Sequence, residues 1–380
     1  MDAMDAKSEE ALGALGTLGT LFRPFTVGRL TLPNRIVMAP MTRNFSPDGV
    51  PGADVAAYYR RRAENDVGLI VTEGTVIDHP ASTDSTRVPR FFGEAPLAGW
   101  RRVVDAVHGA GGRIMPQIWH VGMRRAPGTG PHPESPSVGP SGINAAGDQI
   151  SLPLSVEEIG LIVDAYGRAA VDAERLGFDG VEIHGAHGYL IDQFFWSFTN
   201  HRTDAYGGSL LARARFAADV VRACRRTVSR DFPVVLRFSQ WKGNHYDAKL
   251  VTTPGELAQF LAPLVDAGVD VFHCSTRRFW EPEFAGSHLT LAGWTKQLSG
   301  KPTIAVGSVG LTDDFISWFA GASTTTRGIE DLLARLGAAE FDLVAVGRAL
   351  IADPAWAIKV RDGRADQIAT FTRDLLQTLA

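Results

Sequence analysis

Two histidines and a tyrosine follow a short apolar run near the middle of the chain, in the segment Gly180–Tyr189. The imidazoles of His184 and His187, three residues apart, can direct hydrogen bonds at one point, and the phenol of Tyr189 is near enough to supply a proton. This set suits polarising a carbonyl group and protonating the carbon beside it. The two histidines could instead bind zinc. Zinc needs a third ligand, and although His120 is available, no carboxylate is spaced to support it.

Two turns rich in small residues form a second candidate site. The segments Ala305–Gly310 and Val346–Arg348 each follow an apolar run. Small residues let backbone amides approach an anion, and Arg348 adds a fixed positive charge. Glycines also end strands for steric reasons alone. Because α/β barrels recurrently bind phosphate after their seventh and eighth strands, the two turns together predict a phosphate site.

Polar and aromatic side chains follow several other apolar runs. They stand in the segments Ala39–Arg43, Thr72–Gly74, Gln117–His120 and Arg237–Ser239. Trp119 offers a planar wall and Arg237 a charge, while the amides and hydroxyls offer hydrogen bonds. A flat heteroaromatic molecule with a phosphate tail would use all of these groups. Taken singly, each has a structural explanation: Thr42 as a turn cap, Trp119 as core, Arg237 as an ion-pair partner.

Eight apolar runs alternate with helical stretches and position these candidates. The runs are rich in Val, Ile and Leu with little alternation, as expected for parallel strands buried on both faces. We predict strands over Arg35–Pro40, Gly68–Gly74, Gly112–Gln117, Asp179–His184, Pro233–Phe238, Asp270–Ser275, Pro302–Gly307 and Phe341–Gly347. Gly185 and Gly188 mark the turn after the fourth strand. Eight β–α units in this order predict an α/β fold, a (β/α)₈ TIM barrel.

The intervening helices carry recognisable start and stop signals. Ser155 and Glu158 form a capping-box pattern before residues with helical periodicity, and Gly177 ends that helix. Thr253 and Glu256 repeat the pattern before a later helix.

Two segments lie outside the repeating units. Residues 122–154 are rich in Gly, Pro and Ser and follow the third strand, where a long loop is either a lid over the substrate or a disordered surface excursion. Residues 1–20 lack the basic start and apolar run of a signal peptide, so we expect a disordered lead. Residues 21–380 are then a single domain.

Composition excludes several functional classes. Of the 380 residues 45% are hydrophobic, and 38 basic against 42 acidic residues give a net charge of −4. This balance argues against a nucleic-acid or anionic-membrane surface. Cys224 and Cys274 are the only cysteines, which excludes a disulfide framework, a Cys-x-x-Cys zinc site and an iron–sulfur cluster. No stretch has the apolar length of a membrane span. A cytoplasmic location is the expectation.

The chain resembles the old yellow enzyme family of FMN-dependent ene-reductases. The resemblance covers about residues 20–356 and rests on Leu21–Phe25, Asn34–Thr42, Gln117–His120, Gly180–Phe194, Asn200–Ser209, Arg237 and Gly347–Arg348. It implies a single barrel that binds FMN non-covalently, with NADPH or NADH as the reductant and an activated alkene as the substrate.

The resemblance also implies roles for individual residues. Tyr189 would protonate the α-carbon of the substrate, His184 and His187 would bind its carbonyl oxygen, and Trp119 would line its pocket. The flavin ring would be held by Pro40, Met41, Thr42, Gly74, Gln117, His184 and Arg237. Its phosphate would be held by Gly307, Ser308, Gly347 and Arg348.

Some features depart from the family pattern and leave alternatives open. The segment Ser239–Lys242 replaces the usual Ser-Pro, and the end of strand six places Arg277, Arg278 and Trp280 near the barrel mouth. These arginines favour an acidic substrate, such as a conjugated acid, or form a solvated basic rim. A flavin-free lyase or isomerase that uses Lys242 and a non-catalytic flavin-binding protein are the rival functions. A homo-oligomer is compatible with the sequence, which does not determine the natural substrate or the choice between NADPH and NADH.

Overall fold

Eight parallel strands close into a barrel in the computed structural model, which describes residues 18–243, 245–314, 317 and 324–380. Each barrel strand pairs with the next along the chain, and the last pairs with the first. An antiparallel hairpin, β1 (Phe25–Val27) and β2 (Leu30–Leu32), precedes them. The barrel strands are β3 (Ile36–Met38), β4 (Leu69–Val76), β5 (Ile114–Trp119), β6 (Val181–His187), β7 (Val234–Lys242), β8 (Val271–Ser275), β9 (Thr303–Val306) and β10 (Leu343–Val346).

The predicted (β/α)₈ barrel and its eight strands are confirmed, but four strands run past their predicted ends. β4, β5, β6 and β7 continue for two to four residues at the carboxyl side of the barrel. Gly185 therefore lies inside β6, and the prediction that it belongs to the following turn was wrong. The strand persists because β7 runs beside it, pairing Lys242 with His187 across a register shift. Gly188, with φ +75°, does begin the turn.

Two hydrophobic layers explain why the strands have continuous apolar sequences. Alternate side chains, such as Val37, Leu69 and Val271, fill the barrel interior, and the residues between them pack against the helices. Leu30 and Leu32 from the N-terminal hairpin belong to the interior cluster. The hairpin, which sequence analysis did not predict, therefore closes the end of the barrel at which the strands begin.

Helices surround the barrel, and two of them begin at the predicted caps. Ser155 accepts a hydrogen bond from the amide of Glu158 at 3.1 Å and returns one from its own amide to that carboxylate at 2.7 Å. Thr253 and Glu256 form the second capping box. The α-helices are α1 (Ala53–Ala63), α2 (Glu94–Gly109), α3 (Val156–Arg175), α4 (Leu190–Phe195), α5 (Leu210–Thr227), α6 (Pro254–Ala267), α7 (Leu291–Ser299), α8 (Glu330–Gly337), α9 (Arg348–Ala352) and α10 (Trp356–Arg361). Short 3₁₀ helices span Pro47–Gly49, Gly122–Arg124, Ala365–Gln367 and Arg373–Gln377.

The insertion at residues 122–154 packs beside the barrel mouth through polar contacts. The Arg202 side chain donates to the carbonyl of Pro140 at 2.8 Å, and His245 hydrogen-bonds the carbonyl of Ala145 at 2.6 Å. Of the insertion, only Arg124 lines the central cavity. Its role as a lid stays a prediction.

The predicted N-terminal lead falls mostly on residues 1–17, which lie outside the described residues. Residues 18–21 form a helical turn, so regular structure begins before the predicted boundary at residue 20. Both cysteines are buried and free. In the described part of the chain, no helix is long and apolar enough to span a bilayer.

Candidate active site

A cavity of about 470 Å³ lies at the carboxyl ends of the barrel strands. Every residue that the sequence assigned to cofactor or substrate lines this cavity. They are Pro40, Met41, Thr42, Gly74, Gln117, Trp119, His184, His187, Tyr189, Arg237, Gly307, Ser308, Gly347 and Arg348. Residues from seven different strands, or from the turns that follow them, thus converge on one space, as the barrel geometry requires.

His184, His187 and Tyr189 form a compact cluster of rings on one wall. The ring centroid of His184 lies 5.1 Å from that of His187 and 5.0 Å from that of Tyr189. Trp119 packs edge-on against Tyr189, with centroids 4.7 Å apart. The amide of Ala186 donates to Nδ1 of His184 at 3.3 Å, which leaves Nε2 of His184 as its proton-bearing nitrogen.

The backbone around His187 is held in an unusual conformation by its neighbours. Its φ is +65°, a left-handed value that non-glycine residues rarely adopt. Its amide donates to Oγ of Ser239 at 3.0 Å, and its imidazole Nε2 lies 2.7 Å from Oγ of Ser275. The ring of Trp241 stacks on its imidazole at 4.4 Å. The residues that replace the family's usual Ser-Pro therefore fix this histidine in place.

A buried ion pair supports the turn that follows β6. Nζ of Lys242 lies 2.5 Å from Oδ1 of Asp192, and both side chains are completely buried. Oδ2 of Asp192 accepts the amide of Gly188 at 2.7 Å. Lys242 is consequently committed to a carboxylate and is not placed to form a Schiff base, which removes the observation behind a flavin-free lyase. His120 likewise has another partner, because its Nε2 lies 3.0 Å from Nδ1 of His79.

Burial determines the protonation of the ring cluster. It holds the pKa of His184 well below its usual value, and the nearby charge of Arg237 acts in the same direction. The pKa of His187 is lowered for the same reasons. Burial raises the pKa of Tyr189, against the opposing charge of Arg124. At neutral pH the cluster therefore consists of two neutral imidazoles, each with one N–H, and a neutral phenol.

A buried polar network fixes the hydrogen-bonding side chains at one edge of the cavity, those of Gln117 and Arg237. Nε2 of Gln117 donates to Oε1 of Glu182 at 2.8 Å, and Nδ1 of His273 lies 2.7 Å from Oε2. Burial would raise the pKa of Glu182, but the contacts with His273, Arg237 and Gln117 outweigh it and lower that pKa. The amide oxygen of Gln117 is therefore left as an acceptor, beside the cationic Arg237. Sequence reasoning missed Glu182 and His273; charged groups within a buried strand were the available signal.

The loop after β3 is held against the barrel by a third buried carboxylate, that of Glu73. Oε2 of Glu73 accepts the amide of Arg43 at 2.9 Å and that of Asn44 at 3.3 Å. Burial raises the pKa of Glu73 to about 7, against these two hydrogen bonds. The contacts fix the chain directly after Thr42. This residue carries a hydroxyl group and lines the cavity.

The two small-residue turns lie side by side at the other end of the cavity. Gly307 has φ +151° and Ser308 has φ +51°. A Cβ atom at position 307 would come within 2.7 Å of Oγ1 of Thr276, so only glycine fits there. Oγ of Ser308 donates to the carbonyl of Arg277 at 3.0 Å, so the backbone amides of the turn are the donors available to an anion. Arg348 begins α9 beside them.

Unpartnered buried atoms show that the cavity suits a planar, phosphate-bearing cofactor. Nε of Arg237 and Nη1 of Arg348 are buried without a hydrogen-bond partner among the described residues. Arg237 lies at the edge of the cavity that also contains Gln117, and Arg348 lies at the small-residue turns. Because buried donors are rarely left unpaired, a ligand with acceptors at both ends fits the residues present. FMN has this shape, with a pyrimidine edge and a terminal phosphate.

The barrel mouth is ringed by aromatic and basic side chains. Arg277 lines the cavity, but it and Arg278 both bind Asp314, at 3.0 and 2.7 Å. The ring of Trp280 is occupied by the guanidinium of Arg327 at 3.7 Å. The basic rim is therefore partly neutralised. Further lining residues that sequence analysis did not identify are Arg124, Trp241, Tyr246, Phe371 and Leu376.

Comparison with known proteins agrees with this geometry. Residues 20–367 match the sequence profile of the NADH:flavin oxidoreductase / NADH oxidase family. The chain belongs to this family. The predicted resemblance to old yellow enzyme is thereby confirmed, and the protein is an enzyme.

Individual relatives extend the likeness over most of the chain. An NADH oxidase of Thermoanaerobacter brockii is 36% identical over 92% of this chain, although the chain spans only about half, 52%, of that relative. A putative 12-oxophytodienoate reductase 2 of Oryza sativa subsp. japonica is 34% identical over 88% of this chain and 85% of its own. The structure of morphinone reductase in complex with tetrahydroNAD is 30% identical, with a TM-score of 0.78 over 94% of this chain and 93% of that one.

Proposed function

We propose that the protein is an FMN-dependent ene-reductase that uses NADPH or NADH to reduce the double bond of an activated alkene. The single observation that carries the proposal is the ring cluster of His184, His187 and Tyr189 on the wall of a cavity that also suits FMN. Family membership and the likeness to morphinone reductase support it. We expect the protein to act in the cytoplasm.

The contacts already described support the proposed flavin site. Arg237 and the amide oxygen of Gln117 would hold the pyrimidine edge, Thr42 would hydrogen-bond a ring carbonyl, and the small-residue turns with Arg348 would hold the phosphate. When bound, FMN supplies the hydride that reaches the β-carbon of the substrate.

Neutral imidazoles are suited to binding the substrate oxygen. An N–H from His184 or His187 directed at the carbonyl stabilises the negative charge that develops there as the β-carbon is reduced. Nε2 of His184 is available for this purpose because Nδ1 accepts the amide of Ala186. His187 contacts Ser275 through Nε2, so Nδ1 is its nitrogen available for a second hydrogen bond.

In the proposed reaction, Tyr189 is the general acid that completes the step. Its ring lies edge-on to both Trp119 and His184, which restricts the orientation of the phenol within the cavity. Since burial raises its pKa, the phenol keeps its proton at neutral pH and can donate it to the α-carbon.

Spectroscopy and turnover test the proposal. The purified protein should be yellow, or become so with FMN, and should oxidise NADPH or NADH when 2-cyclohexenone is added. Tyr189→Phe should slow the oxidative half-reaction by roughly 10²-fold or more, the usual contribution of a general acid, while flavin reduction stays near its original rate. A protein that binds no FMN would refute the proposal. Equal losses in the two half-reactions would remove Tyr189 from the role of proton donor.

A further inference from the structure

The side chain of Arg124 reaches from the loop after β5 to the proposed proton donor. Its guanidinium carbon lies 4.9 Å from the centroid of the Tyr189 ring. Its Nη1 also donates to the backbone carbonyl of His187 at 3.4 Å. A Cβ atom at Gly243 would come within 1.8 Å of that nitrogen, so glycine at the end of β7 leaves the space that Arg124 occupies.

Three charged groups act on the phenol of Tyr189, and Arg124 is the strongest of them. Burial has the largest effect and raises the pKa of Tyr189; Arg124 lowers it, Asp84 raises it, and Arg237 lowers it. The other aromatic rings in contact with Tyr189 are His184, which is neutral, and the indole of Trp119. Arg124 is therefore the principal group that favours a negative charge on this phenol.

We propose that Arg124 is a positioning residue for the protonation step, in that its guanidinium stabilises the phenolate formed when Tyr189 gives up its proton. The inference rests on the proposed function, because it takes Tyr189 as the donor. In this step the phenolic O–H bond breaks and its electron pair stays on the oxygen. The enolate electron pair forms the new C–H bond at the α-carbon, and water later returns a proton to the phenolate.

The contact strengthens as the reaction proceeds, which is the condition for it to accelerate the step. Before proton transfer, the guanidinium interacts with Tyr189 only through the quadrupole of its neutral ring. After transfer, it lies beside a full negative charge that is partly removed from water. An interaction that is stronger in the transition state than in the ground state lowers the barrier. Arg124 is exposed, so water weakens its interaction with the phenolate. Replacing Arg124 should therefore slow the protonation step only moderately.

The test compares Arg124→Gln and Arg124→Lys in the FMN-loaded enzyme. Anaerobically reduced protein is mixed with 2-cyclohexenone, and flavin reoxidation is followed across a range of pH. Arg124→Gln should slow this half-reaction by roughly 3- to 10-fold, a fraction of the contribution of about 10²–10⁴ made by a general acid. Arg124→Lys should retain most of the rate because it keeps the cation. The alkaline limb of the profile should move to higher pH in Arg124→Gln, since the phenol then loses its proton less readily.

Two controls separate this role from a purely structural one. Reoxidation by ferricyanide, which requires no carbon protonation, should proceed at the parental rate in Arg124→Gln. Adding Arg124→Gln to Tyr189→Phe should cause no further loss, because residues that act through one group are not additive.

Each remaining outcome has a definite meaning. The proposal is overturned if Arg124→Gln reoxidises with the enone at the parental rate and with the same alkaline limb, or if ferricyanide is slowed equally. If Tyr189→Phe alone loses nothing, the proposed role of the tyrosine fails, and the inference fails with it. Loss in Tyr189→Phe without loss in Arg124→Gln refutes the inference alone.

Discussion

In the proposed flavin site, Arg348 is the residue that would distinguish FMN from its unphosphorylated form. One nitrogen of its guanidinium donates to the carbonyl of Asp313, and Nη1 is buried without a partner among the described residues. Burial lowers the pKa of Arg348, although the side chain remains charged at neutral pH because arginine titrates so high. A cation that is already partly dehydrated gains most when an anion binds beside it.

Replacing Arg348 by Gln should therefore weaken FMN binding selectively. We expect the affinity of the apoprotein for FMN to fall roughly 10- to 100-fold, the effect of losing a hydrogen bond to a charged group. The affinity for riboflavin, which lacks the phosphate, should change little. Fluorescence titration of both flavins measures the two affinities, and Arg361→Gln at the exposed surface serves as the control. Equal losses for both flavins would contradict a phosphate contact.

At the residue scale, the sequence predicted side chains that meet in the cavity but not those that act on them. Tyr189 and Arg348 were found because chemistry-bearing residues followed strands. Glu182 and Arg124 were missed because their importance depends on contacts across the barrel, with Gln117 at 2.8 Å and with the Tyr189 ring at 4.9 Å. Such contacts arise from the closed sheet and leave no local pattern.

At the scale of elements, β6 and β7 together determine where the ring cluster lies. The register between them shifts after Gly185, and His187 then pairs with Lys242. Predicted strand ends were too early here because glycine and histidine were interpreted as turn signals. The neighbouring strand supplies backbone partners that keep the chain extended, and a single sequence cannot reveal this.

The buried pair of Lys242 and Asp192 should contribute strongly to the stability of this region. Lys242→Met leaves the carboxylate of Asp192 buried and without its cation. We expect the free energy of unfolding to fall by about 3–5 kcal/mol, the usual cost of breaking such a pair. Urea denaturation followed by circular dichroism measures the change.

A matched variant at an exposed ion pair shows whether burial accounts for the expected loss in the free energy of unfolding. Arg60→Met removes a cation from the pair of Arg60 and Glu64, whose side chains are 52% and 47% exposed. It should cost no more than about 1 kcal/mol, as for other surface pairs. If Lys242→Met costs no more than Arg60→Met, the buried pair does not stabilise the turn.

At the scale of the whole molecule, buried histidines couple folding to pH. Burial is the main cause that lowers the pKa of five histidines below the ordinary value of 6.5: His79, His120, His184, His187 and His273. The unfolded chain takes up protons on these residues as the pH falls below about 6.5, while the folded chain does not. The folded state is therefore destabilised progressively below that pH, and these groups have no effect above it.

We expect the urea concentration at the midpoint of unfolding to decrease as the pH is lowered from 7.5 to 5.5. The raised pKa values of Glu73, Asp192 and Glu283 act in the opposite direction, because the folded state then binds protons more readily, but the histidines outnumber them. His120→Gln should make the pH dependence less steep, whereas His132→Gln at an exposed site should not. A midpoint that is constant or rises on acidification would contradict this account.

The barrel itself was the feature most accessible from sequence, because eight buried parallel strands leave eight continuous apolar runs. The N-terminal hairpin was not predicted. Its strands have three residues each, too few to show a period.

That hairpin has a kinetic consequence. Leu30 and Leu32 close the barrel at the end where its strands begin, so in the described part of the chain the cavity opens at the carboxyl ends of the strands. Under the proposed function, the reductant and the alkene enter the same cavity and bind in the same place. The first must therefore leave before the second can bind. Under the proposed function, the protein would retain the reducing equivalents between these two binding events, which gives double-displacement kinetics.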